Sequence, residues 1–285
     1  MYVYKIGICG AGTMGAEIAE VAAYTGLPVI LRDIKQEFVD SGIKKANNIL
    51  QKRVDKGKMS QEMKDQIMER ISGTLKLEDL KDVDVIIEAI PEDVDLKIKL
   101  FKELNKICEP HTIFASNTSA LSISKMGSGS GRPEKVIGMH FFFPAHIMKL
   151  VEVIPGIETS QDTIDTIVEL SERFRKLPVK VKEIPGFLVN RILLPMLIEA
   201  CKCLDEGVAS AKDIDLAMQA GAGMPMGPFT LADNLGLDVV LNVADYMANQ
   251  YGNPNFNPPY LLRKMVAAGH LGVKTGKGFY DYSKM

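Results

Sequence analysis

The 285-residue chain has no tryptophan, only four cysteines and only four histidines. No cysteine pair forms CxxC and no His/Cys cluster has zinc-ligand spacing, so no metal is expected. Cys201 and Cys203 lie two apart in an apolar helical run, where their side chains point in different directions; with Cys9 and Cys108 they read as packing residues. An excess of charge is also missing. Thirty-four Lys and Arg stand against 36 Asp and Glu, a net charge of −2, which removes the electrostatic case for a general nucleic-acid partner. No apolar run reaches the ~20 residues of a bilayer-spanning helix, so no membrane partner is expected. The first apolar run, Tyr2–Cys9, has neither the basic flank nor the cleavage site of a signal peptide. The cytoplasm is the expected location, or an organelle after trimming of a transit peptide.

What remains is an ordinary globular composition, 46% hydrophobic and 25% charged, on a chain long enough for two domains. Short β-branched runs at Val3–Cys9, Pro28–Arg32, Val83–Ala89, Thr112–Ala115, Val136–Phe142, Leu150–Ile154 and Val179–Val181 predict strands. Gly15–Gly26, Gln36–Lys56, Val94–Cys108 and Gln161–Arg175 predict helices between them. Strands alternating with helices imply a mostly parallel sheet. The helical stretch from Gln36 to about Ser72 exceeds a sheet crossover and predicts a projecting hairpin broken near Lys56-Gly57-Lys58; Gly127–Gly131 reads as a Ser/Gly loop.

After Pro185-Gly186 the strand signal ends. Phe187–Glu206 predicts a long helix kinked at Pro195, Ser210 with Asp213 resembles a capping box, Gly227-Pro228 opens a helix running to about Gln250, and Pro259–Gly269 predicts a last one. The expected class is α/β: a Rossmann-like dinucleotide-binding domain over residues 1–184, followed by an all-helical domain over 185–285.

Gly10-Ala-Gly12-Thr13-Met14-Gly15 follows the first strand, opens a helix and precedes Asp33 at the end of the second strand. That context is the dinucleotide fingerprint. Gly10 permits the tight turn, Gly12 leaves room for the pyrophosphate and Gly15 lets the helix pack on the strand. The helix amino end attracts phosphate. Asp33 is placed to accept from the adenosine ribose hydroxyls and to repel a 2′-phosphate. NAD is therefore the expected cofactor, with Arg32 beside Asp33 as a partial counterweight.

From Ile6 to Tyr280 the chain resembles the 3-hydroxyacyl-CoA dehydrogenases. The resemblance is carried by Gly10–Gly15, Ser116-Asn-Thr-Ser119, His140-Phe-Phe, Met148-Lys-Leu-Val-Glu152-Val, Pro185-Gly-Phe-Leu-Val-Asn190-Arg, Gly221–Phe229 and Lys274–Tyr280. It implies an NAD-binding α/β domain joined to a helical domain that carries a homodimer interface, and an acyl-CoA substrate. Oxidation of a secondary alcohol moves a hydride to the nicotinamide and a proton to a base with a pKa near neutrality. The resemblance gives His140 as that base and Glu152, on the following strand, as its orienting carboxylate. It places the Ser119 hydroxyl on the substrate oxygen and Asn190 on the thioester side. Thr13, Met14, Glu92, Lys97, Asn117 and Lys274 match cofactor-contacting positions. Lys56, among Lys52, Arg53 and Lys58, matches a CoA-contacting one, where clustered cations suit nucleotide phosphates.

One position departs from the family pattern: Phe143 stands where an Asn usually contacts the nicotinamide end, and Phe makes no such hydrogen bonds. Two other readings stay open on the sequence alone. One is a dehydrogenase of a non-CoA 3-hydroxy acid, which shares His140 and Glu152 but needs no basic hairpin. The other is a catalytically silent dinucleotide-binding protein.

Overall fold

The computed structural model of the protein describes residues 1–283. Its chain divides into two compact units, one spanning Met1–Glu183 and one from Ile184 on.

The first unit runs β1 (Ile6–Cys9), α1 (Thr13–Tyr24), β2 (Val29–Arg32), α2 (Gln36–Asp55), α3 (Gln61–Met68), β3 (Ile71–Thr74), β4 (Val85–Glu88), α4 (Val94–Asn105), β5 (Ile113–Ser116), α5 (Ile123–Ser130), β6 (Val136–Phe141), β7 (Leu150–Pro155), α6 (Gln161–Arg173) and β8 (Leu177–Lys180). The sheet order is β3-β2-β1-β4-β5-β6-β7-β8. Every neighbouring pair is parallel except β6 with β7. β1, β4 and β5 are buried at every position, as strands covered by helices on both faces must be, and this is why they read as continuous apolar runs. Strand order reverses between β1 and β4, which opens a crevice at the carboxyl edge.

Two elements differ from the sequence expectation. β3 begins where the stretch read as helix ends, and no strand was expected there. Its Ile71-Ser-Gly-Thr buries only Ile71, so it carries almost no apolar signal, and Gly73 is there because a Cβ would lie 2.4 Å from Val39. α5 covers most of the stretch read as a Ser/Gly loop. Ser122 caps it by accepting from the Lys125 N–H, and a Cβ on Gly129 would lie 2.6 Å from Ile98 on α4. Its small residues serve close helix packing. The α2–α3 hairpin breaks at Lys56-Gly57 as expected, but Leu50, Met59 and Ile67 pack into the main core. Its largely polar outer side faces water.

A group of buried charges lies beneath α1. Glu20 is 1% exposed, neither of its oxygens accepts a hydrogen bond, and Arg53 lies 3.4 Å away. Burial pushes the Glu20 carboxyl up to about 7, with Arg53 and Lys176 opposing. Between the ordinary carboxylate value and 7 the folded chain holds a proton that the unfolded chain has released. This contribution to stability is therefore complete at acid pH and lost as pH rises through 7. At pH 8 the charge costs roughly 3 kcal/mol. Thermal melts should show Glu20→Gln raising Tm at pH 8 and leaving it nearly unchanged at pH 4. Equal shifts at both pH values would refute this.

The second unit comprises α7 (Val189–Asp205), α8 (Ala211–Ala222), α9 (Pro228–Leu235), α10 (Leu237–Tyr251) and α11 (Tyr260–Ala267). Leu194, Leu197, Leu237, Val240, Met247 and Leu262 form its core. Pro195 sits inside α7, and Ser210 accepts from the Asp213 N–H at the start of α8. The helix expected from Gly227 to Gln250 is two helices, because Gly236 at φ +97° turns the chain between them. Asp215 accepts from the Phe229 and Thr230 N–H groups at the start of α9. Asp233 accepts from those of Phe279 and Tyr280, fixing the segment around them.

Candidate active site

Because β1, β2, β4, β5 and β6 are parallel, their carboxyl ends share one edge of the sheet. The turn after β1 is dictated by its glycines. Gly10 has φ +104°, and a Cβ there would lie 2.5 Å from the Ala89 carbonyl; a Cβ on Gly15 would lie 1.8 Å from that of Gly10. At Gly12 a Cβ would meet nothing within 4 Å. The turn therefore opens onto space at the amino end of α1, where N–H groups face outward. A cleft of about 750 Å³ begins there, lined by Gly10, Gly12, Thr13, Met14, Asp33 and Ile90 among others. Asp33 is fixed by its own hydrogen bonds, from the Ala11 N–H at 2.6 Å and the Ile34 N–H at 2.6 Å. A polyphosphate at the amino end of α1 and a ribose at Asp33 suit this cradle. Lys45, which the sequence reading did not single out, donates to Thr13 Oγ1 at 2.8 Å beside the turn.

The end of β4 carries a buried ionic network. Glu88, fully buried, accepts from Lys97 Nζ at 2.6 Å, Ser116 Oγ at 2.6 Å and the Ile90 N–H at 2.8 Å. Burial pushes the Glu88 carboxyl up, and Lys97 and Ser116 oppose that. Lys97 is only 1% exposed. Besides Glu88 it meets Glu92 at 3.2 Å and the Ile90 carbonyl at 3.3 Å. Glu92 in turn accepts from Thr118 Oγ1 and from the Ser119 N–H, the latter at 2.8 Å. Lys97, matched by resemblance to a cofactor-contacting position, is thus buried at the centre of a network ending on the Ser119 loop. Glu88 was not foreseen; its trace in the sequence is a lone carboxylate closing an apolar strand.

His140 and Glu152 face each other in the β6–β7 register. His140 Nδ1 lies 2.8 Å from Glu152 Oε2, and the residues are 5% and 0% exposed. An ionised carboxylate can only accept, so in this pair Nδ1 is the donor and Glu152 the acceptor. The Phe142 ring lies 4.5 Å from the imidazole, centroid to centroid. Asn117, at the end of β5, accepts from the Phe141 N–H at 2.9 Å, tying the serine loop to the histidine strand. Phe143 stands half exposed three residues past His140.

The other expected positions belong to other elements. Asn190 is the second residue of α7 in the second unit. Lys274, in the same unit, pairs with Asp238. Lys56 is exposed at the carboxyl end of α2, with Lys52 and Lys58 exposed near it. Arg53 does not join them; it pairs with Glu20 and lies 4.9 Å over the Tyr24 ring. Among the described residues no cluster of metal-ligating side chains occurs.

One sheet edge thus carries both a glycine turn shaped for a dinucleotide and a buried imidazole held by a carboxylate, the kinds of group that moving a hydride and a proton off one alcohol calls for. That combination belongs to the dinucleotide-dependent dehydrogenases. Residues 5–184 match the NAD-binding domain of 3-hydroxyacyl-CoA dehydrogenase and residues 186–282 its C-terminal domain; the chain belongs to the 3-hydroxyacyl-CoA dehydrogenase family. It is 48% identical over 280 residues to the 3-hydroxybutyryl-CoA dehydrogenase of Clostridioides difficile, covering 98% of this chain and 100% of that protein. It is 41% identical to human mitochondrial hydroxyacyl-coenzyme A dehydrogenase, covering 98% and 91%. The crystal structure of (S)-3-hydroxybutyryl-CoA dehydrogenase from Ralstonia eutropha superposes with a TM-score of 0.95 at 43% identity, covering 99% and 100%. The chain is an NAD-dependent oxidoreductase of 3-hydroxyacyl-CoA thioesters.

Proposed function

We propose that the protein interconverts short-chain 3-hydroxyacyl-CoA and 3-ketoacyl-CoA, such as the 3-hydroxybutyryl-CoA pair, with His140 as the proton-transfer group. The observation that carries this is the buried His140–Glu152 pair on the same sheet edge as the dinucleotide turn. When bound, NAD accepts or returns the hydride. His140 Nε2 takes the hydroxyl proton in oxidation and gives it back in reduction, while Glu152 holds the ring and stabilises its protonated form. Ser119 steadies the substrate oxygen, supported from behind by Glu92 and Lys97. Asn190 holds the thioester. Gly10, Gly12, Thr13, Met14, Gly15 and Asp33 bind the cofactor, with Glu92, Lys97, Asn117 and Lys274 as further contacts or supports.

Lys56 is assigned to the nucleotide phosphates of CoA. The assignment rests on its exposure beside Lys52 and Lys58, where attraction is real but screened by salt. One assay series tests both the handle and the chain length. Wild-type kcat/KM should peak at about four acyl carbons, and a maximum at long chains would contradict the short-chain reading. Lys56→Ala should raise KM for acyl-CoA with kcat largely intact, the pattern of lost uniform binding, and leave a pantetheine thioester nearly unaffected. Unchanged KM and salt dependence would reduce the lysines to a solvated helix face.

The protein is further assigned as a cytoplasmic homodimer joined through its second unit. Leu188, Ile192, Leu216, Leu235, Val239 and Tyr260 are exposed there, more large apolar surface than a small helical unit normally leaves to water. No described helix is long and apolar enough to cross a membrane. Sedimentation should give a dimer at micromolar concentration, and a monomer there, or recovery of the protein in the membrane fraction, would contradict the assignment.

A further inference from the structure

The connection between β6 and β7 is held by buried charges that have no part in the proton transfer itself. Glu17, 5% exposed, lies one turn into α1 from the dinucleotide motif. Its Oε2 accepts from the Ala145 N–H and lies 3.3 Å from His146 Nδ1. From the other side Lys176, 7% exposed, donates to the Ala145 carbonyl and, at 2.8 Å, to the Met148 carbonyl. Both polar groups of one peptide residue are therefore committed to buried charges of opposite sign, one on the cofactor helix and one just beyond α6.

We propose that Glu17 is a positioning residue for the proton-transfer pair, fixing the β6–β7 connection to the helix that starts at the dinucleotide turn. The proposal rests on the roles assigned above to His140 and Glu152. Ala145 lies between those two residues, in the only covalent link between their strands. α1 begins at Thr13, so its first turn sits where the cofactor phosphates are held. Glu17 thus spans the two halves of the reaction, the seat of the hydride carrier and the strands bearing the base. A carboxylate is an expensive way to fill space under a helix, because burial strips its hydration. What it supplies is a charge-assisted hydrogen bond, stronger and more directional than a neutral one. A shift of about 1 Å in the base relative to the cofactor is enough to slow the chemistry up to a hundredfold.

The test uses the whole 285-residue chain at a temperature well below each variant's Tm. Glu17→Ala should lower kcat by about tenfold or more, with KM for acyl-CoA and the NADH Kd, read by fluorescence titration, changed less than about twofold. The isotope effect on kcat with NADH deuterated at the transferred position should rise, because misaligned hydride transfer becomes the slow step. Glu17→Gln, whose amide oxygen still accepts from Ala145, should recover most of the rate. If Glu17 only supports the fold, Tm falls while kcat and the isotope effect of the folded protein stay at wild-type values, and the proposal is overturned. Should Glu17→Ala not fold, Glu17→Asp decides: its shorter carboxylate draws on Ala145, so a raised isotope effect is required and an unchanged one overturns the idea. His140→Gln run in parallel separates the two claims. Normal turnover in that variant defeats the reading of His140, whereas its loss beside fully active Glu17 variants defeats only the positioning role.

Discussion

Replacing His140 by Gln should lower kcat by a factor of about 10²–10⁴, the usual worth of a general acid–base, while NADH binding stays close to wild type. The size of the effect follows from the geometry. The imidazole is buried, its Nδ1 is held at 2.8 Å by Glu152, and the pair is set by adjacent strands and not by a mobile loop. A glutamine fills similar space but cannot carry a proton to and from the substrate oxygen near neutral pH. Hydride transfer would then have to leave an unneutralised alkoxide or draw its proton from water. Turnover and an NADH titration on the same preparation check this. Near-normal kcat in the variant would remove His140 from the chemistry.

Replacing Lys97 by Met should cost about 3–5 kcal/mol, because it leaves Glu88 fully buried beside no cation. For a unit of this size that corresponds to a Tm lower by roughly 10 °C. The Glu88 carboxyl, already pushed up by burial with Lys97 opposing, would rise further and take up a proton. Activity should fall as well, since Glu92 loses its partner at 3.2 Å and with it a firm hold on the Ser119 N–H. Combining Lys97→Met with Glu88→Gln should restore much of the stability, because both charges are then gone. It should restore little of the activity, because the link from Lys97 to Glu92 stays broken. Melting curves of the two single variants and the double variant form the cycle that checks this. Additive losses, with no recovery in the double variant, would mean that the pair is not coupled.

Much of this architecture was legible in the sequence because it rests on local rules. The strands that bury both faces announce themselves as apolar runs, and the glycine turn needs its residues at fixed spacing. His140 and Glu152 were paired through the family resemblance; that their strands are antiparallel and set the two residues opposite each other comes from the sheet. What stayed hidden depends on tertiary surroundings. β3 is an edge strand with one buried apolar residue, so periodicity has nothing to register. The glycines of α5 resemble a loop until α4 is laid against them. Gly236 ends one helix and begins another through a positive-φ turn that a continuous apolar pattern masks.

The buried charges were the hardest to read. In a sequence Glu17 and Lys176 look like ordinary solvated charges, and Lys97 stands out only by its match to a cofactor-contacting position. Only the fold shows that Lys97, Glu17 and Lys176 lie at 1%, 5% and 7% exposure and hold the Ser119 loop and the β6–β7 connection. Arg53 went the opposite way. Its neighbours in sequence suggested a phosphate site, yet the helix turns it inward onto Glu20 and Tyr24 while leaving Lys52 and Lys56 outside.

The reaction itself is read most directly by mixing the protein with NADH and either acetoacetyl-CoA or free acetoacetate, and following the reduced-nicotinamide absorbance. Rapid loss with the thioester, little with the free acid, and almost none with either when His140 is Gln is the expected result. Turnover of the free acid but not the thioester, or no turnover of either by the wild-type protein, would contradict the assignment.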